Sequence, residues 1–181
     1  SSFAEKEFAR LKHDHIKTIH GAINHKSFCR LPKPKRIELR KKFNIEEDAF
    51  IVGFVFRNQL RKSVPNLIEG YSKWKKKCKP NEKTYLLFHT HWAEGWNIHR
   101  LCSEYGIDKE EVLTTHICNS CKNYTVKPYA GQGVDCNICK TKKSQVTCSV
   151  TLGIEEEELN EIYNLMDVYC HPFTSGGQEI P

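Results

Sequence analysis

Phe50-Ile51-Val52-Gly53-Phe54-Val55-Phe56 is an unbroken apolar run that stops at the polar, basic stretch Arg57-Asn58-Gln59-Leu60-Arg61-Lys62. A run of this length, mostly β-branched or aromatic, reads as a strand buried on both faces, as in a parallel sheet. Directly after the basic stretch, Val64, Leu67, Ile68 and Tyr71 recur at helical spacing, with Ser63 as the expected cap and Pro65 near the first turn. The unit is therefore strand, basic loop, helix. In open α/β sheets, ligands bind at the carboxyl ends of the strands, where such loops sit. Arg57 and Lys62 are thus candidates for a phosphate-bearing ligand; the competing reading is a strand that ends in solvated charges.

Further along the chain the pattern repeats. Lys83–Thr90, built on Tyr85, Leu86, Leu87 and Phe88, reads as a second buried strand, with His89, His91, Trp92 and Trp96 clustered at its end. Ile98, Leu101, Cys102 and Tyr105 form a helical face closed by Gly106, and Val112–Ile117 is a third strand. A helix over Glu155–Leu165 carries its glutamates at the N-terminal end, where they complement the helix dipole. Met166–His171 follows as a strand, then a glycine loop at Gly176-Gly177. Alternating strands and helices imply a Rossmann-like parallel α/β sheet with right-handed crossovers.

Upstream, residues 1–20 suggest a helix and a short extended piece, His20–Asn24 a turn, and Leu31–Lys35 an extended spacer, because residues before proline avoid the helical region. Ile37–Phe43 reads as a short basic helix. Residues 1–48 are accordingly expected to be an interdomain linker and the end of a preceding domain, and residues 49–181 a truncated Rossmann-like domain.

The excess of 28 Lys and Arg over 22 Asp and Glu, a net charge of +6, favours anionic partners. No apolar run approaches the roughly 20 residues of a membrane span, and no signal peptide is visible, so a cytoplasmic location is expected. Four of the nine cysteines stand as two close pairs, a pattern that favours metal binding over a disulfide framework.

Those pairs, Cys118-Asn119-Ser120-Cys121 and Cys136-Asn137-Ile138-Cys139, interrupt the α/β pattern. Between Cys118 and Val146 there is no apolar periodicity. Each CxxC pair can form a knuckle with two thiolates aimed at one ion, and four thiolates close a structural zinc site with no open position for catalysis. Cys118, Cys121, Cys136 and Cys139 are the expected ligands; His116 and Cys148 are the other donors nearby. An insertion over 118–147 with its own metal-dependent order follows. Lys122, Lys127, Lys140, Lys142 and Lys143, with Tyr124 and Tyr129, also make it a candidate surface for nucleic acid.

Taken in order, these segments resemble the donor-binding domain of GT-B glycosyltransferases of the group 1, retaining, nucleotide-sugar-dependent kind. Gly53–Gln59 with Arg61-Lys62 is similar to the strand and loop that open that domain. Ile19–Ile23 with Phe28 resembles the interdomain stretch, and Gly153–Leu165 with Asp167–Pro172 resembles the segment before the donor loop. The likeness spans residues 16 to 181 apart from the cysteine insertion. It implies that Arg57 and Lys62 meet the donor diphosphate and that Thr115 and His116 lie beside the nucleotide base. Ser175, Gly176, Gly177 and Gln178 would form the loop over the sugar and phosphates, with backbone N–H groups making an anion nest. With Pro181 aligned, Gly176 occupies the place of the family's glutamate and Glu179 stands three residues later as the candidate catalytic carboxylate.

The resemblance implies a glycosyltransferase fragment that binds a nucleotide-sugar donor, transfers the sugar to an unknown acceptor, and is inactive without an N-terminal acceptor domain; the CxxC pairs add a structural zinc. The rival readings are a zinc-ribbon nucleic-acid module on an α/β scaffold and a degenerate, non-catalytic glycosyltransferase domain.

Overall fold

A computed structural model describes residues 2–13, 15–17 and 23–172. Residues 20–22 of the turn expected at His20–Asn24, and the loop Ser175–Glu179, lie outside the described residues. The elements in order are α1 (Ser2–Arg10), α2 (Lys33–Lys42), β1 (Phe50–Val55), α3 (Val64–Lys75), β2 (Thr84–His89), α4 (Ile98–Glu104), β3 (Val112–Cys118), β4 (Tyr124–Pro128), β5 (Gln145–Thr147), α5 (Glu156–Leu165) and β6 (Val168–Tyr169). Among the described residues, no helix is long and apolar enough to cross a membrane.

The strands form one mixed sheet in the order β4-β3-β2-β1-β6, with β5 paired to β3. The pairings of β1 with β2, β1 with β6 and β2 with β3 are parallel. β4 and β5 run antiparallel to β3, so the all-parallel expectation holds for the α/β units and fails for the cysteine insertion. The departure arises because β4 is only five residues long and half polar, with no apolar period to reveal it.

Both faces of the sheet are covered. Val52, Phe54, Leu86, Phe88 and Val112 pack with Val64, Leu67, Ile68 and Tyr71 of α3 and with Ile98, Leu101 and Cys102 of α4. Ile51, Leu87, Leu113 and Ile117 pack on the other face with Leu39 of α2 and with Ile162 and Leu165 of α5. Residues at positions i and i+2 of a strand share a face, and the two sets obey that alternation. The helices after β1 and β2 take one face and α5 takes the other, so the sheet changes winding direction between β1 and β6. That junction is the topological switch point of a doubly wound fold.

Local details depart from the expected caps. Helix α2 starts at Lys33, so Pro34 lies inside its first turn, where its missing N–H costs nothing. Ser63 precedes α3 with φ +49 and makes no side-chain cap; it closes the 3-10 turn Leu60–Lys62. At α5 the Glu158 carboxylate accepts from the Glu155 N–H at 3.0 Å. Gly106, at φ +68, ends α4 as its position after the helix suggests.

Residues 33–49 contribute Leu39, Phe43, Ile45 and Ala49 to the same core as the sheet. Their strongest tie is polar. Arg40 is buried and donates to the carbonyls of Glu47 (2.7 Å), Ala49 (2.8 Å) and Leu165 (3.2 Å) and to the Asp167 carboxylate (2.7 Å). Asp167 also accepts from the Ile51 N–H at 2.9 Å. One guanidinium thereby joins the entry to β1, the end of α5 and the entry to β6. Breaking a buried ion pair from one side leaves its partners unsatisfied. Arg40→Ala should therefore lower unfolding free energy by about 3 kcal/mol, read from urea denaturation; a loss under about 1 kcal/mol would show that water replaces these bonds.

Candidate metal centre and carboxyl edge of the sheet

The cysteine insertion is built onto β3. Cys118 is the last residue of β3, and its carbonyl accepts from the Lys122 N–H at 2.9 Å. In the same way the Cys136 carbonyl accepts from the Lys140 N–H at 3.0 Å. Lys122 and Lys140 both adopt φ +61, so two knuckles of matching backbone turn face one another. In each, a backbone N–H points at the first sulfur: Cys121 N–H to Cys118 Sγ at 3.4 Å and Ile138 N–H to Cys136 Sγ at 3.4 Å.

The four sulfurs of Cys118, Cys121, Cys136 and Cys139 lie within 4.8 Å of one another. Cys118 and Cys139 are 3.6 Å apart and Cys121 and Cys136 are 3.8 Å apart. A metal–sulfur bond of ~2.3 Å in a tetrahedron sets sulfurs about 3.8 Å apart, so the cluster has the dimensions of a four-thiolate metal site. The Ser144 hydroxyl, 3.2 Å from Cys118 Sγ, holds that thiol down to about 6, and Thr141 lowers Cys139 in the same way, whereas burial and the neighbouring Cys139 and Cys118 sulfurs raise Cys136. Thiolates are the metal-binding form. His116 and Cys148 are both buried away from this set.

A strand has two hydrogen-bonding edges. β4 pairs with β3 from Leu113 to Ile117, leaving one edge for the rest. β2 takes Val112–Thr114 of that edge and β5 takes His116–Cys118. β5 therefore continues the sheet past the end of β2, and the Trp92 N–H at that end lies 3.5 Å from Thr147 Oγ1.

This arrangement decides the fate of two expected site residues. Thr115 and His116 are fully buried. Thr115 Oγ1 is 3.0 Å from His89 Nδ1, and burial with the nearby Lys127 ammonium pushes the His116 imidazole down to about 4. Neither presents a surface to a base. The aromatic surface suggested for nucleic acid is also engaged. Tyr124 is buried and donates to Glu161, while Tyr129 stacks on Trp92 with ring centroids 3.8 Å apart.

At the switch point, Arg57 and Lys62 part company. Arg57 is about half exposed, and its guanidinium meets the Glu94 carboxylate through Nε (3.1 Å) and a terminal nitrogen (3.4 Å). Lys62 is buried in the 3-10 turn, its N–H donating to the Gln59 carbonyl. Sequence reading missed Asn58, which is 1% exposed and joins the loops after β1 and β2. Its amide donates to the carbonyls of Glu94 and Trp96 and accepts from the Trp96 N–H at 3.1 Å. An asparagine after an apolar strand resembles any loop residue; only the partner loop, 36 residues away, reveals its role.

The chain matches no known protein-family model and no curated protein.

His89 at the end of β2 supplies a pH signature. Burial pushes its pKa down to about 4, against ~6.5 in an unfolded chain. The neutral ring is the form the fold favours, so its contribution is full above pH ~6.5 and is lost as pH falls toward 4. His89→Asn should lose less stability than the parent between pH 7 and pH 5, measured by urea midpoints; parallel losses would remove His89 as a cause.

Proposed function

We propose that the carboxyl edge at the β1/β6 junction binds the diphosphate of a nucleotide-sugar donor, and that this chain is the donor-binding part of a retaining glycosyltransferase. The observation that carries this reading is the placement of Arg57 in the loop leaving β1, at the point where the winding direction of the sheet reverses. A departing nucleoside diphosphate gains negative charge, and a guanidinium held at the strand end offers it a bidentate partner. The resemblance to the GT-B donor domain adds the loop Ser175–Gln178 over the sugar, Glu179 as its carboxylate, an acceptor domain across a cleft, and an acceptor of unknown identity. Lys62, being buried, would add to the electrostatic field of the site rather than touch a phosphate.

In the same proposal the four cysteines hold one zinc with a structural task. The metal would fasten two knuckles that otherwise have few apolar side chains to hold them, and β3 would then keep β4 and β5 on its edges. Because eight of the residue pairs that β3 makes are with β4 and β5, metal loss should loosen the sheet edge as well as the insertion, contrary to an insertion ordered independently.

Elemental analysis of purified protein should find one zinc per chain, and Cys121→Ser should lose it. Hydrogen exchange should then speed up in 112–118 together with 124–128 and 145–147. Full zinc content in Cys121→Ser, or protection in β3 that survives metal loss, would contradict this assignment.

The donor site is tested by titrating uridine, guanosine and adenosine diphosphates. At least one should bind, and Arg57→Ala should weaken it about tenfold, the low end of what charge-assisted hydrogen bonds supply because Arg57 is half exposed. Equal binding by parent and Arg57→Ala would refute the site.

A further inference from the structure

The loop after β2 is fixed to the loop after β1 with unusual completeness. Asn58 holds the backbone on both sides of Gly95, and the Trp96 indole N–H donates to the Leu60 carbonyl at 3.2 Å. Gly95 sits at φ +61, and a Cβ there would lie 2.1 Å from the Asn58 carbonyl oxygen, so only glycine allows this approach. The backbone of Glu94 is thereby anchored, so its carboxylate can change position only by rotation of the side chain.

That side chain is aimed at Arg57. The carboxylate takes two nitrogens of the guanidinium fork, at 3.1 and 3.4 Å, and His91 Nδ1 stands 3.5 Å from Oε1, the oxygen that meets the terminal nitrogen. Arg57 beside it holds the Glu94 carboxyl below the usual carboxylate range, so it is an anion at neutral pH. A carboxylate and a phosphate present similar paired oxygens to a guanidinium, and the edge formed by Nε and one terminal nitrogen, which Glu94 takes, accommodates one of them at a time.

We propose that Glu94, anchored by the Asn58–Gly95 contact, is an internal competitor for the anion site at Arg57, so that phosphate binding proceeds by exchange of the Glu94 carboxylate for the ligand's phosphate oxygens. This rests on the donor-site reading above and adds a residue that sets its affinity. Glu94 raises the threshold that an anion must exceed to hold Arg57, and a rotation of one side chain completes the exchange without moving either loop. A ligand that lacks phosphate gains nothing from removal of the carboxylate.

The test is calorimetric titration of the whole chain with inorganic pyrophosphate, using the parent, Glu94→Gln, Arg57→Ala and the double variant, with the free nucleosides as controls. Glu94→Gln keeps the size of the side chain and removes its charge; Glu94→Ala serves as a second variant if the amide disturbs the loop. Pyrophosphate should bind Glu94→Gln about three- to tenfold more tightly than the parent, in keeping with the modest strength of exposed ion pairs. Arg57→Ala should bind weakly, the double variant should match Arg57→Ala, and nucleosides should show no gain. If Arg57→Ala weakens binding while Glu94→Gln and Glu94→Ala do not strengthen it, the competitor inference is overturned and the donor site stands. If Arg57→Ala binds pyrophosphate as the parent does, or none of the four proteins binds it, both fail.

Discussion

A β-strand offers two hydrogen-bonding edges and no more, and β3 uses both along most of its length. Its amino-terminal half pairs with β2, its carboxyl-terminal half with β5, and β4 runs along the opposite edge. This allocation explains why a polar, cysteine-rich segment that looks like a detachable insertion is part of the sheet. It also explains why the end of the third strand is closed. Thr115 and His116 stand at the level where an open α/β sheet would meet a ligand, yet both are fully buried, Thr115 against His89 and His116 beside Tyr129.

The β1/β6 junction lies at the other side of the sheet from that closure. The chain positions this region from below and above. Below, Arg40 and Asp167 tie the entries of β1 and β6 together through one buried guanidinium. Above, Asn58 ties the loops that leave β1 and β2. Each replaces the flexibility of a loop with hydrogen bonds made to backbone groups, which hold position better than contacts between long side chains do. Arg57 emerges between these two fixed points, with its charge offset by Glu94.

The four-thiolate cluster lies at the far end of β3, three residues beyond Thr115, whose hydroxyl meets His89 at the end of β2. The cysteine cluster and the carboxyl edge are therefore joined through β3. A structural metal there would act on the edge through the packing of β5 against the end of β2, without touching a ligand.

Much of this was legible in the sequence. The apolar run Phe50–Phe56, the strands read at Lys83–Thr90 and Val112–Ile117, and the helical spacing of Val64, Leu67, Ile68 and Tyr71 point to a doubly covered α/β sheet, because burial on both faces favours largely apolar strands. The gathering of Cys118, Cys121, Cys136 and Cys139 was legible because CxxC spacing is set by local backbone geometry. What only the tertiary structure decided are relations between segments far apart in the chain. The antiparallel course of β4 and β5, the burial of Lys62 and His116, the bond from Asn58 to the second loop and the pairing of Arg57 with Glu94 all depend on which neighbour occupies a shared edge or a shared fork. Local spacing records what a residue is and how its own segment turns; competition for a partner is settled only when the segments meet.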